Sequence, residues 1–261
     1  MPMFKTLLSH APYVGSLIAE RDQLREQLAG CDCLPVPPPH LRFRIGADTN
    51  LDKFLGIGRT LLGDIKILAA QAGREFDSFQ SILDFGCGCG RVIRHLGSEK
   101  QKSIFGTDID PEAIDWCRDN LKGVAEFSTN PLQPPLKYAD SSFDLIYGIS
   151  VFTHLPEDIA MIWLAELRRI LKPDGVLVTS TIGASDLNGL MPDDKEAQNA
   201  FMKSGFYYTT RFKTEGLPTV YGLAFHDRSY IERMWSQIFT LSVYRPQAIN
   251  NHQCGIVLRL A

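Results

Sequence analysis

No stretch of this sequence holds the roughly 20 consecutive apolar residues that a membrane-spanning helix requires, so a helical membrane span is excluded from its expected features. Basic residues are not in excess: 27 Lys and Arg stand against 30 Asp and Glu, a formal net charge of −3. With that balance and no long basic run there is no positive field to gather a polyanion, and nucleic acid is not expected as a partner. Cysteine is sparse. The six fall at Cys31/Cys33, Cys87/Cys89, Cys117 and Cys254, which fits neither a disulfide framework nor the paired spacing of a zinc site, so no metal is expected. No basic region leads into an apolar signal core at the start of the sequence, and the expected location is cytoplasmic.

What is present falls into three parts. Val14, Leu17, Ile18, Leu24 and Leu28 recur at helical spacing among Glu20, Arg21, Asp22, Arg25 and Glu26, which predicts an amphipathic helix ending near Gly30. Such a helix docks on its own domain, pairs with another copy of the chain or lies on a membrane surface. The run Leu34-Pro35-Val36-Pro37-Pro38-Pro39 has few backbone donors and fixed φ angles, the character of an extended connector. Residues 1–40 are therefore read as helix plus connector, and 41–261 as the main domain. That domain opens on a helical pattern from about Asp48 to Ala72, weakened at Gly56 and Gly58 enough to suggest a kink or two short helices.

From Ser81 onward strand-like and helix-like segments alternate, which predicts a parallel sheet with helices on both faces. Strands are expected at 81–85, 103–107, 124–128, 143–149 and 176–181, with helices from Arg91, from Pro111 under an Asp110 cap, and over 157–171. Lys172-Pro173-Asp174-Gly175 reads as a turn. Beyond it, 183–203 is polar and irregular, two aromatic-rich strands are expected at 206–212 and 219–225, and Ser229 and Glu232 sit at capping-box spacing before a helix. A final antiparallel pair is expected at 239–244 and 255–260.

The first strand ends in Asp84 and turns through Gly86, Gly88 and Gly90 toward a helix. Glycines at such a turn allow positive φ and let a ligand approach the backbone. Free amides at the helix start are expected to favour a carboxylate, with Arg91 able to pair with it and Asp84 able to accept from an ammonium. Asp108 ends the next strand 24 positions after Asp84, where a nucleoside-binding fold places an acid for ribose hydroxyls. A nicotinamide or flavin fingerprint would put its third glycine at position 91; that residue is Arg91 and the glycine falls at Gly90.

The segments ILDFGCGCGR, FGTDID, SSFDLIYGISVFTHLPED and LRRILKPDGVLVTS, in this order over about residues 80–182, resemble the class I S-adenosylmethionine-dependent methyltransferases. The resemblance implies a doubly wound, mostly parallel seven-stranded Rossmann-like sheet, with the N-terminal helix as an extension and residues 183–235 as an inserted cap over the acceptor. It implies S-adenosylmethionine as cofactor, held around Asp84, Gly86, Cys87, Gly88 and Arg91. Asp108 would take the ribose hydroxyls, Ile109 would pack on the adenine, and Asn130 would stand where many relatives have an Asp near the adenine amino group. Ile149 and Ser150 would lie beside the sulfonium. Arg42 and Arg44, with Gly58, resemble a segment that folds over the cofactor in some relatives.

A hydroxyl acceptor needs a base, and histidine suits that work near neutral pH. His154 follows the fourth strand at the mouth of the expected crevice and is a candidate base; capping the next helix or packing under the cofactor are its other readings. His226 is the second candidate, with Asp227 beside it read as a helix cap. Phe206, Tyr207, Tyr208, Phe212, Tyr221 and Phe225 make the cap aromatic. The helix, the proline connector and this tail together resemble methyltransferases of bacterial glycan assembly, which implies a small-molecule acceptor of sugar type. Other small molecules, or a non-catalytic S-adenosylmethionine-binding role, stand as alternatives.

Overall fold

A computed structural model of the chain describes residues 33–212 and 217–260, so the expected N-terminal helix, and any pairing of copies through it, lie outside the described residues. The larger of two compact units begins at Val36. Its first element, α1 (Pro39–Gly46), starts on the last proline of the run, where the missing N–H costs nothing. Helix α2 (Leu51–Gln71) is capped by Asn50, whose side chain accepts from the Lys53 amide. It runs through both glycines as one helix. The reason at Gly58 is packing: a Cβ there would lie 2.1 Å from the Arg91 carbonyl oxygen, so the glycine lets α2 press on the loop that carries Arg91. Among the described residues no helix is long and apolar enough to cross a membrane.

The chain then alternates through β1 (Ser81–Phe85), β2 (Ser103–Asp108), α3 (Pro111–Asn120), β3 (Glu126–Thr129), β4 (Phe143–Gly148), α4 (Glu157–Ile170) and β5 (Leu171–Thr181). Asp110 caps α3 as expected, accepting from the amides of Glu112 and Ala113. The Lys172–Gly175 turn is a bulge inside β5: β4 pairs Phe143 with Leu171 and then Leu145 with Val176. After β5 come α5 (Ala184–Leu190), α6 (Lys195–Ser204), β6 (Phe206–Thr209), β7 (Leu223–His226), α7 (Arg228–Met234), β8 (Thr240–Ile249) and β9 (Gln253–Arg259). The segment read as irregular is thus two helices, α6 being started by Asp194 accepting from the Ala197 amide and ended by Gly205 at φ 76°. The cap of α7 is Asp227, which accepts from the Tyr230 amide. Ser229 only donates to it.

The seven-stranded sheet has the order β3-β2-β1-β4-β5-β9-β8. Its first five strands are parallel neighbours, and β9 runs antiparallel to both β5 and β8. This is the doubly wound fold expected. Leu83, Ile146 and Leu177 of the central strands pack with Trp163, Leu164 and Leu167 of α4 in one buried core, each side chain contributing about 1.5–3 kcal/mol of burial. Between β1 and β4 the chain reverses its direction of progress across the sheet, which opens a crevice at the strands' carboxyl ends. The small antiparallel β6–β7 sheet stands at that edge. It is tied there by the His226 amide donating to the Ile182 carbonyl (2.8 Å) and the Ala224 amide donating to the Thr153 carbonyl (2.8 Å).

Candidate active site

The loop after β1 holds Gly86, Gly88 and Gly90 at φ 83°, 53° and 83°. A Cβ on Gly86 would lie 2.4 Å from Val151 Cγ2, and one on Gly88 2.6 Å from Ile45 Cγ2. The loop amides are not free. Those of Gly86 and Cys87 donate to the Thr107 carbonyl at 2.7 and 3.0 Å, and that of Gly88 donates to Asp108 Oδ2 at 2.7 Å. The expected helix after the loop is a single 3-10 turn, Ile93–Leu96. The amides of Gly86, Cys87 and Gly88 are therefore held by β2 and are not the free helix-start amides expected for a carboxylate.

An open cleft of about 830 Å³ lies over this loop. Of the residues singled out from the sequence, Arg44, Asp84, Gly86, Cys87, Gly88, Arg91, Asp108, Ile149, Ser150 and His154 line it. Ile109 and Asn130 line an adjoining pocket of about 310 Å³. Ile45, Val151, Leu217 and Tyr221 complete the cleft wall. Nothing in the motifs marked them, because each contributes a packing surface that many residue types could supply.

Asp84 is 3% exposed, and its Oδ2 has no hydrogen-bond partner. Burial pushes its carboxyl up to about 8; the Tyr147 hydroxyl opposes this, and nearby Asp108 adds to it. Arg91 is enclosed, and burial lowers its pKa; its side chain makes no ion pair or hydrogen bond within the described residues. Arg44 differs. Its guanidinium is paired with Asp110 at 2.9 Å and Glu112 at 2.7 Å. Arg42 is tied to the Pro37 and Thr49 carbonyls and stays off the cleft.

Asp108 accepts from the Gly88 amide on one oxygen and from the Asp110 amide at 2.9 Å on the other. Burial still raises it to about 6. Asn130 Oδ1 already accepts from the Thr107 hydroxyl at 3.1 Å, and its amide donates to the Pro131 carbonyl at 2.9 Å, so the acceptor the sequence offered is half used. Ser150 sits in the left-handed region at φ 61°, a conformation costing on the order of 1–3 kcal/mol. Its amide donates to Ser180 Oγ at 2.8 Å, and its hydroxyl accepts from the Gln253 side chain at 2.9 Å.

The two histidines part company. His154 lines the cleft, its Nδ1 lies 2.8 Å from the Gly222 carbonyl, and burial lowers its pKa from the usual 6.5. A carbonyl only accepts, so Nδ1 carries the proton and Nε2 the lone pair. His226 is 1% exposed among Phe206, Tyr230 and Trp235 and lines neither the cleft nor the pocket beside it. Neither ring nitrogen has a hydrogen bond of normal geometry, the Ala224 backbone interacting only weakly, and burial drops its pKa to about 3. The candidate role of His226 as a base is corrected: it is a neutral core ring with no route to the cleft.

A sequence profile described as a methyltransferase domain matches residues 82–175, the stretch from β1 into the β5 bulge that builds the cleft floor. Residues 82–175 are thus similar to methyltransferase domains. The domain is 32% identical over 125 residues to the mitochondrial arginine-hydroxylase NDUFAF5 of Rattus norvegicus, covering 44% of this chain and 34% of that protein. It is 28% identical over 102 residues to the 2-methyl-6-phytyl-1,4-hydroquinone methyltransferase of Synechocystis, covering 38% and 31%. The chain thus spans about a third of the length of these curated relatives. Among solved structures, the 1,6-didemethyltoxoflavin-N1-methyltransferase of Burkholderia thailandensis, with bound S-adenosylhomocysteine, shares the fold at a TM-score of 0.54 and 16% identity, covering 87% of this chain and 92% of that one. The glycine loop lies within the profile, while residues 183–235 lie beyond it. Among the described residues no three metal-ligating side chains converge.

Proposed function

We propose that this chain transfers a methyl group from S-adenosylmethionine to a hydroxyl of a small acceptor, a sugar or sugar-containing metabolite. The cleft suits the cofactor on its own evidence. Asp84 presents a buried oxygen lacking a donor, which an ammonium would supply. Arg91 presents an unpaired guanidinium, which a carboxylate would match. Gly86 and Gly88 leave a surface that any Cβ would fill. Asp108 keeps lone pairs for ribose hydroxyls, Ile109 and Asn130 border the space for the adenine, and Ile149 with Ser150 borders the space for the sulfonium.

When bound, S-adenosylmethionine supplies an already activated methyl group, so the protein's work is to align the acceptor and deal with its proton. An aliphatic hydroxyl is a poor nucleophile that must lose its proton as the new bond forms; a carboxylate acceptor needs no such help. His154 is the observation that carries the reading. Its proton is held on Nδ1 by Gly222, its Nε2 is a free base, and burial keeps it neutral at neutral pH. Removing the acceptor proton to Nε2 is general base catalysis, worth about 10²–10⁴-fold.

The test is S-adenosylhomocysteine release across a panel of sugars, phenols, amines and carboxylates, with wild type and His154→Ala. Turnover on sugar hydroxyls that the substitution removes, with cofactor affinity retained, is the expected result. Near-normal turnover in the variant would remove the base, and activity confined to carboxylates or amines would remove the sugar.

A further inference from the structure

Tyr221 lies in the cap, beyond the matched residues 82–175, yet it lines both the main cleft and the adjoining pocket. Its ring stacks on His154 with centroids 5.6 Å apart and planes 12° from parallel. The next residue fixes that contact from both directions. The Gly222 carbonyl accepts from His154 Nδ1 at 2.8 Å, and the Gly222 amide donates to the His154 carbonyl at 3.1 Å. Asp108 lines the same cleft as Tyr221, and its carboxylate helps to raise the pKa of the Tyr221 phenol. That phenol makes no hydrogen bond within the described residues, and the residue is partly buried. A hydroxyl without a partner, in a cleft whose opposite wall is an acid, points to a ligand that brings hydroxyls of its own.

We propose that Tyr221 is the cap's contribution to the cofactor site: its phenol hydrogen-bonds a ribose hydroxyl of S-adenosylmethionine opposite Asp108, while its ring holds His154 in place. The proposal rests on the reading of the cleft as an S-adenosylmethionine site. It makes Tyr221 a binding residue toward the cofactor and a positioning residue toward the base, so that the cap is set for the acceptor when the cofactor is bound.

The test uses calorimetric binding of S-adenosylhomocysteine and of its 2′,3′-dideoxy analogue to the full chain. Tyr221→Phe is expected to bind S-adenosylhomocysteine about 3- to 10-fold more weakly than wild type, the range of one neutral hydrogen bond, and to bind the dideoxy analogue as wild type does. Equal S-adenosylhomocysteine affinity in the two proteins, or an equal loss for both ligands, would overturn the ribose contact while leaving the proposed function standing. Failure of wild type to bind S-adenosylhomocysteine at all would overturn that function and this inference together. For the positioning half, the His154 imidazole is titrated by NMR in Tyr221→Ala, or in Tyr221→Leu if the first does not fold. Its pKa is expected to move up toward the usual 6.5 as the covering ring is lost. An unchanged titration would overturn the positioning role.

Discussion

The two walls of the cleft are built by different means. On the β1–β2 side the shape is made by backbone: three glycines at positive φ, two amides locked on the Thr107 carbonyl, and a third on Asp108. On the cap side it is made by side chains, the Tyr221 ring on His154 and a strand pair whose link to the sheet is a few hydrogen bonds. The first wall resists change in what it holds. The second admits substitution, and the proposed role in acceptor choice would fall there. The contrast is broken if His154→Ala costs cofactor affinity as much as turnover, or if substitutions on the glycine wall cost turnover alone.

The largest effect is expected on the cap wall. His154→Ala should lower turnover about 10²–10⁴-fold and change S-adenosylmethionine affinity less than about twofold, read as kcat against calorimetric Kd. As the proposed base, His154 would work when neutral. Burial lowers its pKa from 6.5, so turnover should rise with pH through a value below 6.5 and be level at neutral pH. A limb at or above 6.5 would place the working base elsewhere.

On the glycine wall, Gly86→Ala must place a Cβ 2.4 Å from Val151 Cγ2 at φ 83°. Overpacking and left-handed strain each cost on the order of 1–3 kcal/mol, and the loop must move to relieve them. Cofactor affinity should fall by about 100-fold, with a lower melting temperature measured on the same sample. Retained affinity would show that the loop's shape is not what holds the ligand.

Asp84 sharpens the same wall by its charge. Its carboxyl sits at about 8 in the ligand-free protein against an ordinary 3.8. Between those values the native state binds a proton that the unfolded state does not, so this group lowers stability as pH rises from 3.8 to 8. Asp84→Asn should accordingly melt a few degrees higher at neutral pH while losing cofactor affinity about 10- to 100-fold, as expected of a lost charge-assisted contact. In wild type, a ligand ammonium must displace the proton below pH 8. Binding at pH 7 should then release up to about one proton, seen as a dependence of the calorimetric enthalpy on the buffer's ionisation heat, and affinity should strengthen with pH until about 8.

The same division explains what could be read from the residues in order. The strands from β1 to β5, the Asp110 cap and the placement of Asp84 and Asp108 at strand ends were legible because each follows from a local pattern: apolar runs, Asp-Pro, and glycines where a Cβ cannot fit. Occupancy of the loop amides was not legible, since it depends on the register of β2 against β1, which brings the Thr107 carbonyl beneath Gly86 and Cys87. The two cap helices were hidden by their polar composition, although Asp194 and Gly205 mark the ends of α6. His226 read as a candidate base because burial is a tertiary property. In the sequence it and His154 look alike; only the fold puts one on the cleft and the other in an aromatic core.

The smallest effect separates the two arginines that the sequence offered together. Arg91 makes no hydrogen bond or close ion pair among the described residues, only a longer-range attraction to Asp84, so a carboxylate meets it with little to break. Arg44 already holds Asp110 and Glu112, and a ligand would have to compete with two carboxylates for it. Arg91→Gln should therefore weaken S-adenosylmethionine binding by about 10-fold, in keeping with a hydrogen bond to a charged group. Arg44→Gln should weaken it less than about threefold, because its pairs are partly exposed and such pairs are worth about 0–1 kcal/mol. Calorimetry of both variants with S-adenosylmethionine and with adenosine completes the argument. The Arg91 deficit should vanish with adenosine, which has no carboxylate, and the Arg44 deficit should stay the same for both ligands if that residue acts only by holding α1 to α3.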